Sequence, residues 1–97
     1  MYVLGESRID SQGRTIIAEL FGNQKPSEVV LAIDIDKEMI AIIPVSKAPD
    51  FGTKTPVDDK NRIVIPKWMR SQLGVNEVYL VYDNGTHYLS PKTGNLL

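Results

Sequence analysis

The order of apolar and polar residues predicts one recurring unit, seen most clearly between Val57 and Gly74. A polar turn at 58–61 separates Val57 from Ile63-Val64-Ile65, whose β-branched side chains favour a buried strand. Pro66 then suits the first position of a helix, where no amide donor is needed. Gly74 follows the last apolar position and can take the left-handed conformation that ends a helix. The stretch therefore predicts a strand, a tight turn, a second strand and a helix of about two turns.

A second copy of this unit lies earlier in the chain. Residues 9–18 match residues 57–66 without a gap, at a constant offset of 48. The matched turn residues are Asp10 with Asp58, Gly13 with Asn61, and Arg14 with Arg62. Glycine and asparagine both tolerate positive φ, so the two turns are expected to share one backbone shape. An internal repeat is predicted, with copies at 1–46 and 54–92 joined by a linker at 47–53, inside a single domain at 1–97.

Each repeat is expected to run strand, strand, helical turn, strand, strand. The first strand, Tyr2 to Ile9, should pair across the first turn with Arg14 to Ile17. In repeat 1 the helical part is weak, because Glu19-Leu20-Phe21 meets Gly22 at once, and a single turn or a loop is expected. The remaining strands are expected at Val29 to Ile33, Met39 to Val45, Val78 to Tyr82 and Thr86 to Leu89. The first two of these should be strands buried on both faces, or strands enclosed inside a barrel or an interface. Asn84-Gly85 predicts a tight hairpin between the last two.

Composition and charge narrow the possible classes. The chain has 97 residues, no cysteine and a formal net charge of −1. This predicts one packed domain without disulfides or thiolate chemistry. No stretch has the pattern of a signal peptide or a membrane span, so a cytoplasmic protein with no membrane partner is expected. Overall neutrality argues against nucleic-acid binding, but residues 54–70 hold five cations against two anions, a local charge of +3.

The sequence offers no set of residues that is typical of an enzyme. His87 is the only histidine, and no Ser-His-Asp set, glycine-rich phosphate loop or pair of buried carboxylates can be assembled. Asp34, Asp36 and Glu38 are better explained as a solvated turn than as a cation site, since no glycine-bearing calcium loop surrounds them. We therefore expect a protein that is not an enzyme and that uses no metal or cofactor.

Residues 57–92 resemble the DNA-binding unit of the AbrB/SpoVT/MazE superfamily, which includes MraZ-like tandem members. The family pattern is an aspartate, a turn ending in Gly-Arg, apolar residues, a proline, an amphipathic helix ending in Leu-Gly, and a closing hairpin. The matching residues are Asp58, Lys60, Arg62, Ile63, Val64, Ile65, Pro66, Arg70, Leu73, Gly74 and Val75. Repeat 1 matches more faintly, through Asp10, Gly13, Arg14, Ile16 and Ile17. Asn61 replaces the usual glycine, and Ala18 stands where the family has proline.

The resemblance implies a mainly β fold with one or two short helices, namely a swapped-hairpin β-barrel built from two tandem ββαββ repeats. It also implies a transcription regulator that binds double-stranded DNA, sequence-specifically or semi-specifically, through basic hairpin loops. By match with the family, the DNA contacts fall on Arg14, Lys60, Arg62 and Arg70, and we add Lys54, Lys67 and Arg8 on charge and proximity. Arg62 is the candidate for reading a base, because a guanidinium can fork onto O6 and N7 of guanine. A homodimer or higher assembly on DNA is expected, since one chain with unequal halves would read DNA lopsidedly.

Three alternatives stay open at the level of sequence. Arg62 could pair with Asp58 or Asp59 and only hold its turn together, and Arg14 stands similarly close to Asp10. An antitoxin-like module could engage a protein partner, such as a toxin, through its acidic half or its tail. A single-chain cradle-loop barrel could share the fold without binding DNA.

Overall fold

The computed structural model describes residues 1–92, which form eight β-strands, two short α-helices and one 3-10 turn. In chain order these are β1 (Tyr2–Arg8), β2 (Arg14–Ile16), α1 (Ala18–Phe21), β3 (Glu28–Asp34), β4 (Met39–Pro44), the 3-10 turn (Val45–Lys47), β5 (Thr53–Pro56), β6 (Arg62–Val64), α2 (Lys67–Leu73), β7 (Glu77–Asp83) and β8 (Thr86–Pro91). The expectation of a mainly β chain with one or two short helices is confirmed.

The first strand of each repeat pairs with the other repeat. β1 pairs antiparallel with β7, so that Tyr2 lies opposite Tyr82 and Arg8 opposite Glu77. β5 pairs in the equivalent way with β3, and the short strands β2 and β6 pair with each other. The predicted pairing of the first strand with its neighbour across the first turn is therefore wrong. The Asp10 side chain accepts hydrogen bonds from amides of the turn itself. β1 pairs instead with β7, which is longer and more apolar than β2, with one register shift between Val3 and Gly5.

The hydrogen-bonded strands form an open sheet and a separate ribbon rather than one closed barrel. The sheet is antiparallel, with the order β1-β7-β8-β4-β3-β5, and β1 and β5 are its edges. β2 and β6 make up the two-stranded ribbon. Thr15 and Ile63 face each other at its centre and are each only 1% exposed. The inner face of the ribbon therefore belongs to the protein interior.

The main core fills the space between the ribbon, the helices and one face of the sheet. Its largest members are Leu31, Ile40, Ile42, Ile63, Ile65, Met69, Leu80 and Leu89. Because side chains alternate along a strand, Met39, Ala41, Val81 and Tyr88 form a second cluster on the other face of the sheet. Burial on both faces is thus confirmed for residues 29–31 and 39–42, whereas Ala32 and Ile33 are half-buried.

Glycine and asparagine occupy the positive-φ positions that were expected of them. Gly13 has a φ of 82° and Asn61 a φ of 60° at the matched positions of the two turns. Asn84 and Gly85, with φ values of 52° and 89°, form the two-residue turn between β7 and β8. Gly74 ends α2 in the left-handed region and donates its N–H to the carbonyl of Arg70. Local chemistry alone fixes these three features.

Helix α2 begins one residue later than predicted. Pro66 has an extended ψ of 147° and lies just outside the helix, where its carbonyl accepts hydrogen bonds from the amides of Met69 and Arg70. α1 is the expected single turn and has no side-chain cap. Within residues 1–92, neither helix has the length and apolar character needed to cross a membrane.

Gly13→Ala should destabilise the protein more than Gly74→Ala. Both glycines have positive φ, which costs an L-residue about 1–2 kcal/mol. A Cβ at Gly13 would also lie 2.9 Å from the Ile65 carbonyl oxygen and 3.0 Å from the Arg70 guanidinium, whereas a Cβ at Gly74 would meet nothing within 4 Å. We expect a loss of about 2–4 kcal/mol for Gly13→Ala, measured as the free energy of unfolding in urea. Equal losses for the two variants would contradict the close packing of Gly13 against Ile65 and Arg70 of repeat 2.

Candidate nucleic-acid interface

Each of the two matched turns is built around one aspartate. In repeat 2, Asp58 Oδ1 accepts hydrogen bonds from the amides of Lys60 (2.9 Å) and Arg62 (2.8 Å), and its Oδ2 accepts one from Arg62 Nε (2.8 Å). In repeat 1, Asp10 makes the same three bonds, at 2.9, 2.9 and 2.8 Å, with the amides of Gln12 and Arg14 and with Arg14 Nε. One carboxylate therefore closes each turn and also fixes the direction of the arginine that follows it.

Each turn also binds the backbone of the other repeat. The Gly13 carbonyl accepts a hydrogen bond from the Ile65 amide, and the Asn61 carbonyl accepts one from the Ile17 amide, both at 2.8 Å. Arg70 supports the first of these contacts, because its Nε donates to the Ile65 carbonyl at 3.0 Å. The turns are thereby held at the two ends of the β2–β6 ribbon.

The outer face of this ribbon brings together arginines from both repeats. Arg14 lies opposite Val64, and Ile16 lies opposite Arg62, so all four side chains share the face that is turned away from the core. The Arg14 and Arg62 side chains are 36% and 28% exposed. Their hydrogen bonds to residues of the described chain come from Nε. The Nη1 and Nη2 ends of both guanidinium groups therefore make no hydrogen bond within residues 1–92.

The alternative in which Arg62 pairs with Asp58 describes what the structure shows, and Arg14 pairs with Asp10 in the same way. Bonds from the Arg62 amide and then from its guanidinium hold the pKa of Asp58 below its usual value, and the Arg14 groups do the same for Asp10. Both carboxylates are therefore ionised at neutral pH, and each aspartate–arginine unit carries no net charge. Each arginine can pair with its aspartate and still present its Nη atoms outward, because the carboxylate bonds to Nε only.

Lysines supply positive charge around these neutral units. Lys60, in the second turn, and Lys67, at the start of α2, are exposed and form no ion pair within residues 1–92. Lys25, which no sequence pattern indicated, reaches the second turn and donates from Nζ to the Asp58 carbonyl. Its position in the loop before β3 gave no signal in the sequence, because the contact spans 33 residues.

Two of the predicted DNA-contact residues lie in the edge strands of the sheet rather than at the ribbon or its turns. Arg8, in the edge strand β1, has a 76% exposed side chain and makes a long ion pair, 3.4 Å, with Glu77. Lys54 lies in the opposite edge strand, β5, across from Val30. The structure gathers Arg14, Arg62, Arg70 and Lys60 at the ribbon and its turns, with Lys67 at the start of α2.

The surroundings of the ribbon are unequal in the two repeats. At the offset of 48 residues, Lys54 corresponds to Glu6 and Lys67 to Glu19, which are reversals of charge. Lys60 corresponds to the neutral Gln12, and Arg70 to Gly22. The ribbon is thus nearly symmetric at its centre, while the groups around it are basic mainly on the side of repeat 2.

His87 lies away from the turns and is part of an aromatic contact. Its ring centre is 4.8 Å from that of Phe21 and 5.1 Å from that of Tyr82. Burial lowers the pKa of its imidazole, which favours the neutral form. Within residues 1–92 no three His, Asp or Glu side chains are grouped so that they could hold a metal ion.

No protein-family model and no curated protein sequence matches this chain.

Acid should weaken the fold through Asp10 and Asp58. Because the pKa of each carboxyl is lower in the folded state, the pair contributes stability above the unfolded pKa of about 4, and this contribution is lost as the pH falls through the folded value. The double variant Asp10→Asn with Asp58→Asn should be less stable than wild type at pH 7 and should lose less stability on acidification. The free energy of unfolding in urea between pH 2 and pH 7 measures both effects.

Asp36→Asn is the matched control, because Asp36 is exposed in the β3–β4 turn and makes no hydrogen bond within residues 1–92. This variant should keep the wild-type dependence on pH. If the Asp10/Asp58 double variant kept it as well, the two carboxylates would not hold the turns together.

Proposed function

We propose that this chain is a DNA-binding transcription regulator of the AbrB type, which binds double-stranded DNA with the outer face of the β2–β6 ribbon and its two flanking turns. One observation carries the proposal: Arg14 and Arg62, from different repeats, lie on one face with Nε bonded to an aspartate, and their Nη atoms make no hydrogen bond within residues 1–92. A two-stranded ribbon fits the major groove of B-form DNA. The proposed site of action is the cytoplasm.

The aspartates prepare the arginines for base recognition. A guanidinium held at Nε loses less conformational freedom on binding than a free side chain does. Its two Nη atoms can donate in parallel to O6 and N7 of guanine. Since each aspartate–arginine unit is neutral, Arg14 and Arg62 add direction and specificity rather than long-range attraction.

Attraction to the phosphates comes from the lysines and from Arg70. Lys25 and Lys60 stand at the second turn, where Asp59 offsets part of their charge, and Lys67 is the first residue of α2. Contacts of this kind set position and orientation on DNA without reading sequence. A moderate non-specific affinity that decreases with salt is expected.

The exchange of first strands between the repeats supports a swapped-hairpin architecture completed within one chain. In this proposal, one chain holds both DNA-reading turns that the resemblance implies, at the ends of a single ribbon. The unequal charges around the ribbon make the two ends of its footprint differ. A long symmetric operator would therefore be occupied by a homodimer or higher assembly.

A second candidate function is favoured by the same aspartate–arginine bonds. A related barrel without DNA binding would use these bonds only to hold the turns together. Fluorescence anisotropy with a random-sequence duplex distinguishes the two candidates, because DNA affinity should fall with roughly one power of salt concentration per phosphate neutralised. Absence of binding at low salt would favour the purely structural barrel. A shallow salt dependence with a protein ligand would favour an antitoxin-like module.

Replacing both ribbon arginines by lysine should reduce specificity while keeping charge. In the double variant Arg14→Lys with Arg62→Lys, an ammonium cannot form the parallel pair of bonds to guanine. We expect about a 10- to 100-fold loss of affinity for a selected duplex, little change for a random duplex, and an unchanged salt slope. Lys47→Ala is the control, since Lys47 lies in the 3-10 turn after β4, outside the ribbon and its two turns. Equal losses on both duplexes would contradict base reading by these residues.

Replacing the exposed lysines should change the overall affinity and its salt dependence rather than the sequence preference. Lys60→Ala and Lys67→Ala should each weaken binding to all duplexes by a similar factor and reduce the salt slope by about 1. The slope is measured from anisotropy titrations between low and physiological salt. A change in sequence preference without a change in slope would show that these lysines do not contact phosphate.

A further inference from the structure

Two aliphatic side chains lie between the arginines on the outer face of the ribbon. Ile16 and Val64 are each 49% exposed, whereas their strand neighbours Thr15 and Ile63 are each 1% exposed. Single exposed apolar residues are common and need no explanation. These two, however, occupy matching positions of the two repeats and lie on the same small surface as Arg14 and Arg62.

The register of the ribbon fixes their arrangement. Arg14 is paired with Val64, and Ile16 with Arg62, so the arginines lie on one diagonal of the face and the aliphatic residues on the other. Diagonal neighbours in an antiparallel pair have Cα atoms about 7–8 Å apart. Edge-strand hydroxyls bind the backbone beneath: the Ile16 amide donates to Ser7 Oγ at 3.2 Å, and the Val64 amide to Thr55 Oγ1 at 3.4 Å. The backbone under the four-residue surface is therefore held in place from both edge strands.

The two repeats keep this surface while their surroundings differ. Both repeats place an aspartate, then an arginine four residues later, then an aliphatic residue two positions further on. Around them, the same comparison shows reversed charges at Lys54 against Glu6 and at Lys67 against Glu19. The aliphatic residues thus belong with the aspartate–arginine units, not with the variable flanks.

We propose that Ile16 and Val64 contact the 5-methyl groups of thymines in the major groove, next to the guanines read by Arg14 and Arg62. This inference rests on the proposed function and names the DNA chemistry that the same surface recognises. The thymine methyl is the one apolar group that a base presents in that groove, and aliphatic side chains are its natural contacts. Arginines beside the aliphatic residues match the guanine acceptors that also face the groove.

The local symmetry of the ribbon sets the form of the preferred sequence. A twofold axis through the Thr15–Ile63 pair relates Arg14 to Arg62 and Ile16 to Val64. The centre of the site is therefore a short inverted repeat that carries one guanine and one thymine in each half. A single chain reads this centre, and the unequal charges around the ribbon favour one of the two orientations in which the chain can bind it.

The test uses the tightest-binding duplex that the 97-residue chain selects from a random-sequence pool. Each thymine is replaced in turn by deoxyuridine, which removes only the 5-methyl group, and each guanine by 7-deazaguanine, which removes N7. We expect two symmetry-related thymines at which deoxyuridine lowers affinity about 4-fold each, as for burial of one methyl-sized group. At the neighbouring guanines, 7-deazaguanine should lower affinity about 10-fold.

The variant Ile16→Ser with Val64→Ser should bind thymine and deoxyuridine duplexes equally while keeping its sensitivity to 7-deazaguanine. Phe51→Ser is the matched control, because Phe51 is 68% exposed and lies outside the ribbon, and it should leave the thymine preference intact. Circular dichroism checks that both variants fold.

Three outcomes would overturn the inference. If a duplex binds with the expected salt dependence but no thymine responds to deoxyuridine, the methyl contacts are absent and the proposed function stands. If no duplex binds at all, the proposed function fails and the inference fails with it. If sedimentation shows that Ile16→Ser with Val64→Ser converts a dimer to a monomer without altering the thymine preference, the two side chains form an interface between copies of the chain.

Discussion

The rest of this structure depends on one interaction, in which a carboxylate accepts hydrogen bonds from two backbone amides and from one guanidinium Nε. It occurs at Asp10 and again at Asp58, with distances that agree within 0.1 Å. The bonds close each turn without help from a neighbouring strand. They also orient the arginine that starts the next strand, so that structure and proposed recognition use the same few atoms. Closing the turn, or orienting the arginine, would each alone account for an ionised aspartate at this position.

Because each turn satisfies its own amides, the strands on its two sides are free to pair elsewhere. β1 and β5 become edge strands beside β7 and β3 of the other repeat, and β2 and β6 join across the repeats. The apolar strands β3 and β7 each gain a second neighbour through this exchange. Their buried backbone groups are thereby paired, which an isolated repeat with the same sequence would not achieve.

The pairing of each aspartate with its arginine fixes the direction of the ribbon arginines but removes most of their long-range electrostatic attraction. A neutral aspartate–arginine unit exerts little attraction at a distance, so in the proposed function the approach to DNA depends on Lys25, Lys60, Lys67 and Arg70. The net charge of −1 conceals this distribution, since acidic residues of repeat 1 cancel basic residues of repeat 2. A surface can therefore suit DNA in a chain whose overall charge argues against it.

The sequence by itself determined the features that depend on neighbouring residues. It specified the order of elements, the positive φ at Gly13 and Asn61, the Asn84-Gly85 turn and the end of α2 at Gly74. Each follows from the steric freedom of one or two residues. The start of α2 was misplaced because Pro66, which suits the first helical position, also suits the extended residue just before it.

Only the tertiary structure decided which strands pair, and with them the composition of the candidate site. Apolar patterning shows that a strand has a buried face, but several partners of similar length can cover that face equally well. The joining of β2 to β6, which places Arg14, Ile16, Arg62 and Val64 on one surface, is a choice between such partners. The contact of Lys25 with the second turn depends on the same long-range packing and left no trace in the local sequence.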